Sequence, residues 1–287
     1  IMSATYSDRY WTSPDGLKLH FRDYDGADDR PPVICLHGLT RNARDFAALA
    51  EHLAPRWRVI VPEMRGRGMS EYAKDPATYS PLTYVADVEA LLTELQISRF
   101  VAIGTSMGGL MTMLLAQRDA RRLAAAVIND IGPELDPAGI ARIAGYVGQG
   151  RSFPTWMHAA RALQEEHGQW FPDFTIETWL EMAKRTMVLG QNGRIVFDYD
   201  MAIAEPFKVP GGAAPADLWP AFEALTDVPV LVVRGALSDL LSDKTLAAMK
   251  SRHPQMQAVT VPRMGHAPML VEPEAIAAIE ALLAQAG

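Results

Sequence analysis

The sequence predicts an α/β protein built on a mostly parallel, doubly wound sheet, with a helical segment inserted after the sixth strand. Three observations carry that reading. From residue 33 onward, short unbroken apolar runs alternate with stretches of helical periodicity. Strands that are apolar throughout, not at every second position, are those buried on both faces, as parallel strands between helix layers are. The alternation stops near residue 131 and resumes near 225, so a core of residues 1–130 and 225–287 is expected to carry an insertion over 131–224. Of the 287 residues, 49% are hydrophobic and 21% charged, which is material for a large core and not the composition of a disordered chain.

In chain order, residues 10–12 and 17–24 read as two strands around the turn Ser13-Pro14-Asp15-Gly16. Val33-Ile34-Cys35-Leu36 is the first unbroken strand. Phe46, Leu49, Ala50 and Leu53 follow at helical spacing. A strand at 57–61 precedes a helix marked by Val85, Val88, Leu92 and Leu95, and a strand at 100–103 comes next. Residues 107–117 are apolar nearly all round, as a buried helix is, and 123–128 form the sixth strand. In the insertion, no buried strand stands out. Trp156, Ala159, Ala160 and Leu163 make one helical stripe, and Trp179, Met182, Ala183, Thr186 and Met187 another. Packing of helix on sheet accounts for most such aromatics, but their density also suits a pocket. Strands at 230–233 and 258–261, with helices near 244–250 and 274–285, complete the pattern.

Several function classes drop out early. Lys and Arg number 27 against 34 Asp and Glu, a net charge of −7 without a basic stripe, so no nucleic-acid partner is expected. One cysteine, Cys35, excludes an internal disulfide framework and a Cys-rich zinc site. No run of 18 apolar residues points to a membrane span. The opening six residues lack the basic flank and apolar stretch of a signal peptide; a cytoplasmic protein is the expectation.

The chemistry concentrates at Gly104-Thr105-Ser106-Met107-Gly108. A G-x-S-x-G run between a strand and a helix describes a nucleophile elbow, whose small flanking residues allow a sharp turn that exposes the serine hydroxyl. G-x-G-x-x-G is absent, so the loop is not one for a dinucleotide. Serine is a weak nucleophile until a base takes its proton. Of seven histidines, His266 in Met264-Gly265-His266-Ala267-Pro268 stands between the last strand and last helix, where a parallel sheet presents its functional loops. His37, in His37-Gly38-Leu39, suits an oxyanion loop better than a base. The base needs an acid to hold its tautomer. Asp239, after the strand at 230–233 and 27 residues before His266, is in keeping with the chain order Ser, Asp, His and is favoured on position alone. Asp130, directly after the strand at 123–128, is the alternative. H-E-x-x-H, carboxylate clusters and Walker-type loops are absent, so neither metal nor cofactor is expected.

On these residues the chain resembles the α/β-hydrolase superfamily along essentially its whole length. The resemblance rests on His37-Gly38-Leu39, the run Pro62-Glu63-Met64-Arg65-Gly66-Arg67-Gly68-Met69-Ser70, the elbow, the insertion, Asp239 and Gly265-His266. It looks most like the cofactor-independent esterase, enol-lactonase and C–C hydrolase group. In that group the loop after the fourth strand usually has Asp and His where this chain has Glu63 and Arg67. The resemblance implies oxyanion donors at the backbone N–H groups of Leu39 and Met107. Leu39-Thr40-Arg41 replaces the Gly-Pro-Gly of C–C hydrolases, and Ala267 replaces their Trp, which demotes that branch. The expected activity is therefore serine hydrolysis of a small to medium, partly hydrophobic ester or lactone. C–C hydrolysis of a diketone and a non-catalytic ligand-binding role are the alternatives. Arg41, Trp156 and Trp179 are the candidate substrate contacts.

Overall fold

The computed structural model describes residues 5–209 and 217–287; residues 1–4 of the opening and 210–216 of the insertion lie outside them. In chain order the structure runs β1 (Tyr6–Thr12), β2 (Lys18–Tyr24), β3 (Val33–Leu36), α1 (Ala47–Leu53), β4 (Val59–Pro62), α2 (Pro81–Glu94), β5 (Phe100–Thr105), α3 (Met107–Asp119) and β6 (Leu123–Asn129). The insertion holds α4 (Pro137–Tyr146), β7 (Ser152–Phe153), α5 (Trp156–His167), α6 (Ile176–Thr186), β8 (Met187–Leu189), β9 (Ile195–Phe197), α7 (Glu205–Lys208) and α8 (Trp219–Glu223). The chain closes with β10 (Val230–Gly235), α9 (Asp243–Arg252), β11 (Gln257–Val261) and α10 (Pro273–Leu283).

The eight-stranded sheet has the order β1-β2-β4-β3-β5-β6-β10-β11. β1 pairs antiparallel with β2, and β2 with β4, while every pair from β4 to β11 is parallel. Strand residues alternate between two apolar layers. Ile34, Ala102, Ile128 and Val232 face the layer of α2, α3 and α8, whereas Val33, Val101, Val127 and Leu231 face that of α1 and α10. The period-2 side-chain geometry of a strand thus feeds two cores. Each fully buried Val, Leu or Ile adds roughly 1.5–3 kcal/mol.

One expectation needs correction. The insertion is not purely helical: β7, β9 and β8 form a three-stranded antiparallel sheet. Strands of two or three residues carry too few positions for alternation to register, so the sequence pattern missed them. The insertion leaves the core directly after β6 and returns at β10, adjacent strands in the sheet. The exit after Asn129 therefore lies at the carboxyl end of the central strands, whereas the chain re-enters at Val230, the amino end of the parallel strand β10.

Candidate active site

Ser106 joins β5 to α3 with φ 52° and ψ −116°, a backbone conformation that non-glycine residues rarely adopt. The flanking glycines make the turn fit. A Cβ on Gly104 would run into the backbone of Gly108, and one on Gly108 into the carbonyl of Leu36. The turn is tied to the neighbouring strand by Ser106 N–H donating to the Asn129 carbonyl at 3.0 Å. Asn129 Nδ2 then donates to Thr105 Oγ1 and, at 2.8 Å, to the Pro268 carbonyl. The elbow and the loop carrying His266 are thus anchored to the same side chain.

His266 Nε2 lies 2.8 Å from Ser106 Oγ, and His266 Nδ1 lies 2.7 Å from Asp130 Oδ2. A carboxylate accepts, so Nδ1 donates and Nε2 keeps its lone pair toward the serine hydroxyl. Asp130 is fully buried and also accepts from Gly235 N–H at 2.7 Å and Ser238 Oγ at 2.6 Å.

This corrects the expected pairing of His266 with Asp239. Asp239 instead accepts from Arg142 Nε and Nη2 at 2.5 and 3.0 Å. Burial alone would raise its pKa, but the Arg142 guanidinium outweighs that and holds the carboxyl below the usual range. The reason for the exchange is positional. β6 adjoins the elbow strand β5, and Asp130 follows its last residue directly. β10 is one strand farther, and the chain has run four residues past its end, Gly235, before reaching Asp239.

His37 is fully buried, with Nδ1 donating to the Gly38 carbonyl at 2.8 Å and Nε2 accepting from Met64 N–H at 3.0 Å. Burial, aided by Arg67, lowers its pKa to about 4, so it is a neutral strut for the loop and not a base. Arg67 donates from Nε to the Leu39 carbonyl at 2.9 Å and from Nη1 to Tyr84 Oη at 2.8 Å. Glu63 accepts from Ala43 N–H at 3.0 Å and Met69 N–H at 2.9 Å, and contacts His20 Nδ1 at 2.7 Å. These two departures from the usual family loop are thus structural braces. Met107 opens α3, and the first N–H groups of a helix have no intrahelical partner.

Two cavities meet at Ser106, Leu39 and Ile143. The smaller, about 160 Å³, lies under the insertion and is charged: Arg41, Arg142, Arg151, Arg185, Asp45 and Glu166 line it, with His266 and Trp179. The larger, about 580 Å³, is mostly apolar, with Met107, Leu110, Ile131, Ile140, Ile203 and Phe207 on its walls. Arg41 and Trp179 therefore reach the site. Trp156 does not; it is partly buried and packs against the cluster around Phe153 and Leu163. Trp179 is nearly buried, with its ring 5.0 Å from that of Phe174 and 6.0 Å from that of Phe171, so it is wall and core at once.

Sequence reasoning passed over Arg142, Tyr146, His167 and Arg185. The available signal was charge on otherwise apolar helical faces, as with Arg185 three residues after Met182 on α6. His167 is held neutral, its pKa lowered to about 4 by burial and by the nearby Arg142 and Arg41.

Residues 31–273 match the model of the alpha/beta hydrolase fold family. The chain is 37% identical over 273 residues to a 3-hydroxybutyrate-oligomer hydrolase of Cupriavidus necator, covering 92% of each chain. It is 24% identical over 244 residues to a 2-(acetamidomethylene)succinate hydrolase of Mesorhizobium japonicum, covering 85% of this chain and 84% of that one. The crystal structure of an alpha/beta hydrolase from Novosphingobium aromaticivorans superposes with a TM-score of 0.95 at 62% identity, covering 99% of this chain and all of that one. With relatives that are hydrolases, the non-catalytic alternative falls away. The chain is an enzyme of the alpha/beta hydrolase family.

Proposed function

We propose that the enzyme cleaves carboxylic esters or lactones through an acyl-enzyme formed on Ser106, with His266 as base and Asp130, not Asp239, as the orienting acid. The observation that carries this reading is the continuous relay from Ser106 Oγ through His266 to Asp130, at 2.8 and 2.7 Å. His266 Nε2 takes the serine proton as Oγ attacks the carbonyl carbon. Asp130 stabilises the imidazolium that forms without itself taking the proton. The backbone N–H groups of Leu39 and Met107 receive the oxyanion. Each such donor is typically worth about 10²–10³ in kcat. The imidazolium then protonates the leaving alcohol, and water activated by the same histidine releases the acid.

For substrate we favour short esters of hydroxy acids, with the insertion over 131–224 acting as the cap that closes on them. The Cupriavidus relative, named for 3-hydroxybutyrate oligomers, supports this. So does an apolar chamber next to Ser106 with room for a short alkyl chain. The test is hydrolysis of a graded ester and lactone panel by the enzyme and by Ser106→Ala, His266→Ala and the double variant. Residues that act as one unit are grossly non-additive. Each single change should therefore cost roughly 10⁶ in kcat, with the double no worse. Near-normal turnover by Ser106→Ala would falsify the nucleophile assignment.

A further inference from the structure

Four arginines line the chamber under the insertion, and three are matched. Arg142 is clamped by Asp239, Arg41 Nη2 donates to Asp45 at 2.7 Å, and Arg151 reaches Glu166 at 3.5 Å. Arg185 is different. Its guanidinium is half-buried, yet among the described residues it has neither a hydrogen-bond partner nor an ion-pair partner. Burial lowers its pKa; of the surrounding charges Asp45 acts on it most, attracting it without pairing because it is bonded to Arg41, while Arg41 repels it and Glu181 and Glu272 attract it more weakly. Arg41 itself keeps a buried Nε without a partner. A guanidinium withdrawn from water without a hydrogen-bonded counter-charge of its own is costly to hold. The cost is offset when an anion enters between the two arginines.

The position of Arg185 is built. It lies in the last turn of α6, and its backbone carbonyl accepts from Asn42 Nδ2 at 2.9 Å. Asn42 follows Arg41 directly, on the loop that also carries Leu39. The end of the insertion helix and the Leu39 loop are thereby joined, so the two guanidiniums face one chamber from different elements.

We propose that Arg185, with Arg41 beside it, binds a carboxylate carried by the ester substrate. The planar guanidinium fork matches a carboxylate better than a point charge does. This rests on the serine-hydrolase reading and adds the part of the substrate that is recognised. It favours esters with a free acid group over neutral esters of the same shape, and makes Arg185 a specificity residue with no part in bond cleavage.

The experiment compares 3-acetoxybutanoate with 3-acetoxybutanamide, identical but for the charge. Calorimetric binding to Ser106→Ala, which leaves both compounds intact, keeps the test independent of turnover. A charge-assisted hydrogen bond is worth enough to expect a preference for the carboxylate of about 10- to 100-fold. Adding Arg185→Gln should bring the ratio close to one, and Arg185→Lys should restore part of it. Equal affinity of Ser106→Ala for the two compounds, or a preference that survives Arg185→Gln, overturns the proposal. If Arg185→Gln fails to fold, the preference of Ser106→Ala and its partial loss on adding Arg185→Lys decide the matter instead. The serine-hydrolase reading fails separately, if the unaltered enzyme hydrolyses neither these compounds nor the neutral ester panel.

Discussion

Two carboxylates end neighbouring strands of this sheet and meet opposite fates. Asp130, after β6, is fully buried and is held by uncharged donors, Gly235 N–H and the Ser238 hydroxyl, besides His266. Asp239, after β10, keeps 16% of its side chain exposed and is ion-paired with Arg142, which also lies under the ring of Trp170 at 4.6 Å. Neutral donors stabilise a carboxylate without cancelling its charge, so Asp130 can still answer an imidazolium. Arg142 cancels the charge of Asp239 and turns that corner into a clasp between insertion and core. Being an acid at a strand end is therefore not enough; what surrounds the acid decides its work.

The sharpest way to break this comparison is to neutralise each acid in turn. Asp130→Asn should lower kcat by about 10⁴, as loss of the orienting acid does in triad enzymes. Asp239→Asn should leave kcat within about tenfold and act mainly on melting temperature, because it unfastens Arg142. Parallel kinetics and thermal melts on the two variants check this; exchanged phenotypes would return the acid role to Asp239.

The next effect concerns His167, which Arg142 helps to keep neutral. Its folded-state pKa of about 4 lies below the ordinary 6.5. Between those values the unfolded chain binds more protons than the folded one, so stability falls as pH drops through this window. Complete above pH 6.5, the contribution amounts to at most about 3 kcal/mol. Melting temperatures from pH 7 to pH 4 should show a shallower acid slope for His167→Gln than for the parent enzyme. An unchanged slope would mean that His167 is not protected from protonation.

Ser238→Ala gives the smallest effect. Removing one hydroxyl donor from Asp130 costs about 1 kcal/mol. A loss in kcat of up to about tenfold is expected, with no change in ester preference. A loss near that of Asp130→Asn would show that Ser238 does more than brace the carboxylate.

The chain by itself determined whatever depends on neighbours along the sequence. The elbow at 104–108 is such a case, because Gly104 is needed where the turn brings it against the backbone of Gly108 four residues on. Unbroken apolar strands specified a sheet covered on both faces, and the loop position of His266 followed from the same order of elements. Tertiary structure decided the rest, because the deciding contacts join residues far apart in sequence. Asp130 and His266 are separated by 136 positions, and Arg142 and Asp239 by 97. Choosing between the acids depended on which strand adjoins β5 and on which arginine the insertion delivers. Neither is written in spacing. The same holds for Trp156 and Trp179, which share a helical pattern with their neighbours and pack on one apolar cluster, while only Trp179 also lines the chamber beside Ser106. It holds too for Arg185, an ordinary charged residue in the sequence, which became notable only when folding placed it in the chamber beside Ser106 with no paired partner among the described residues.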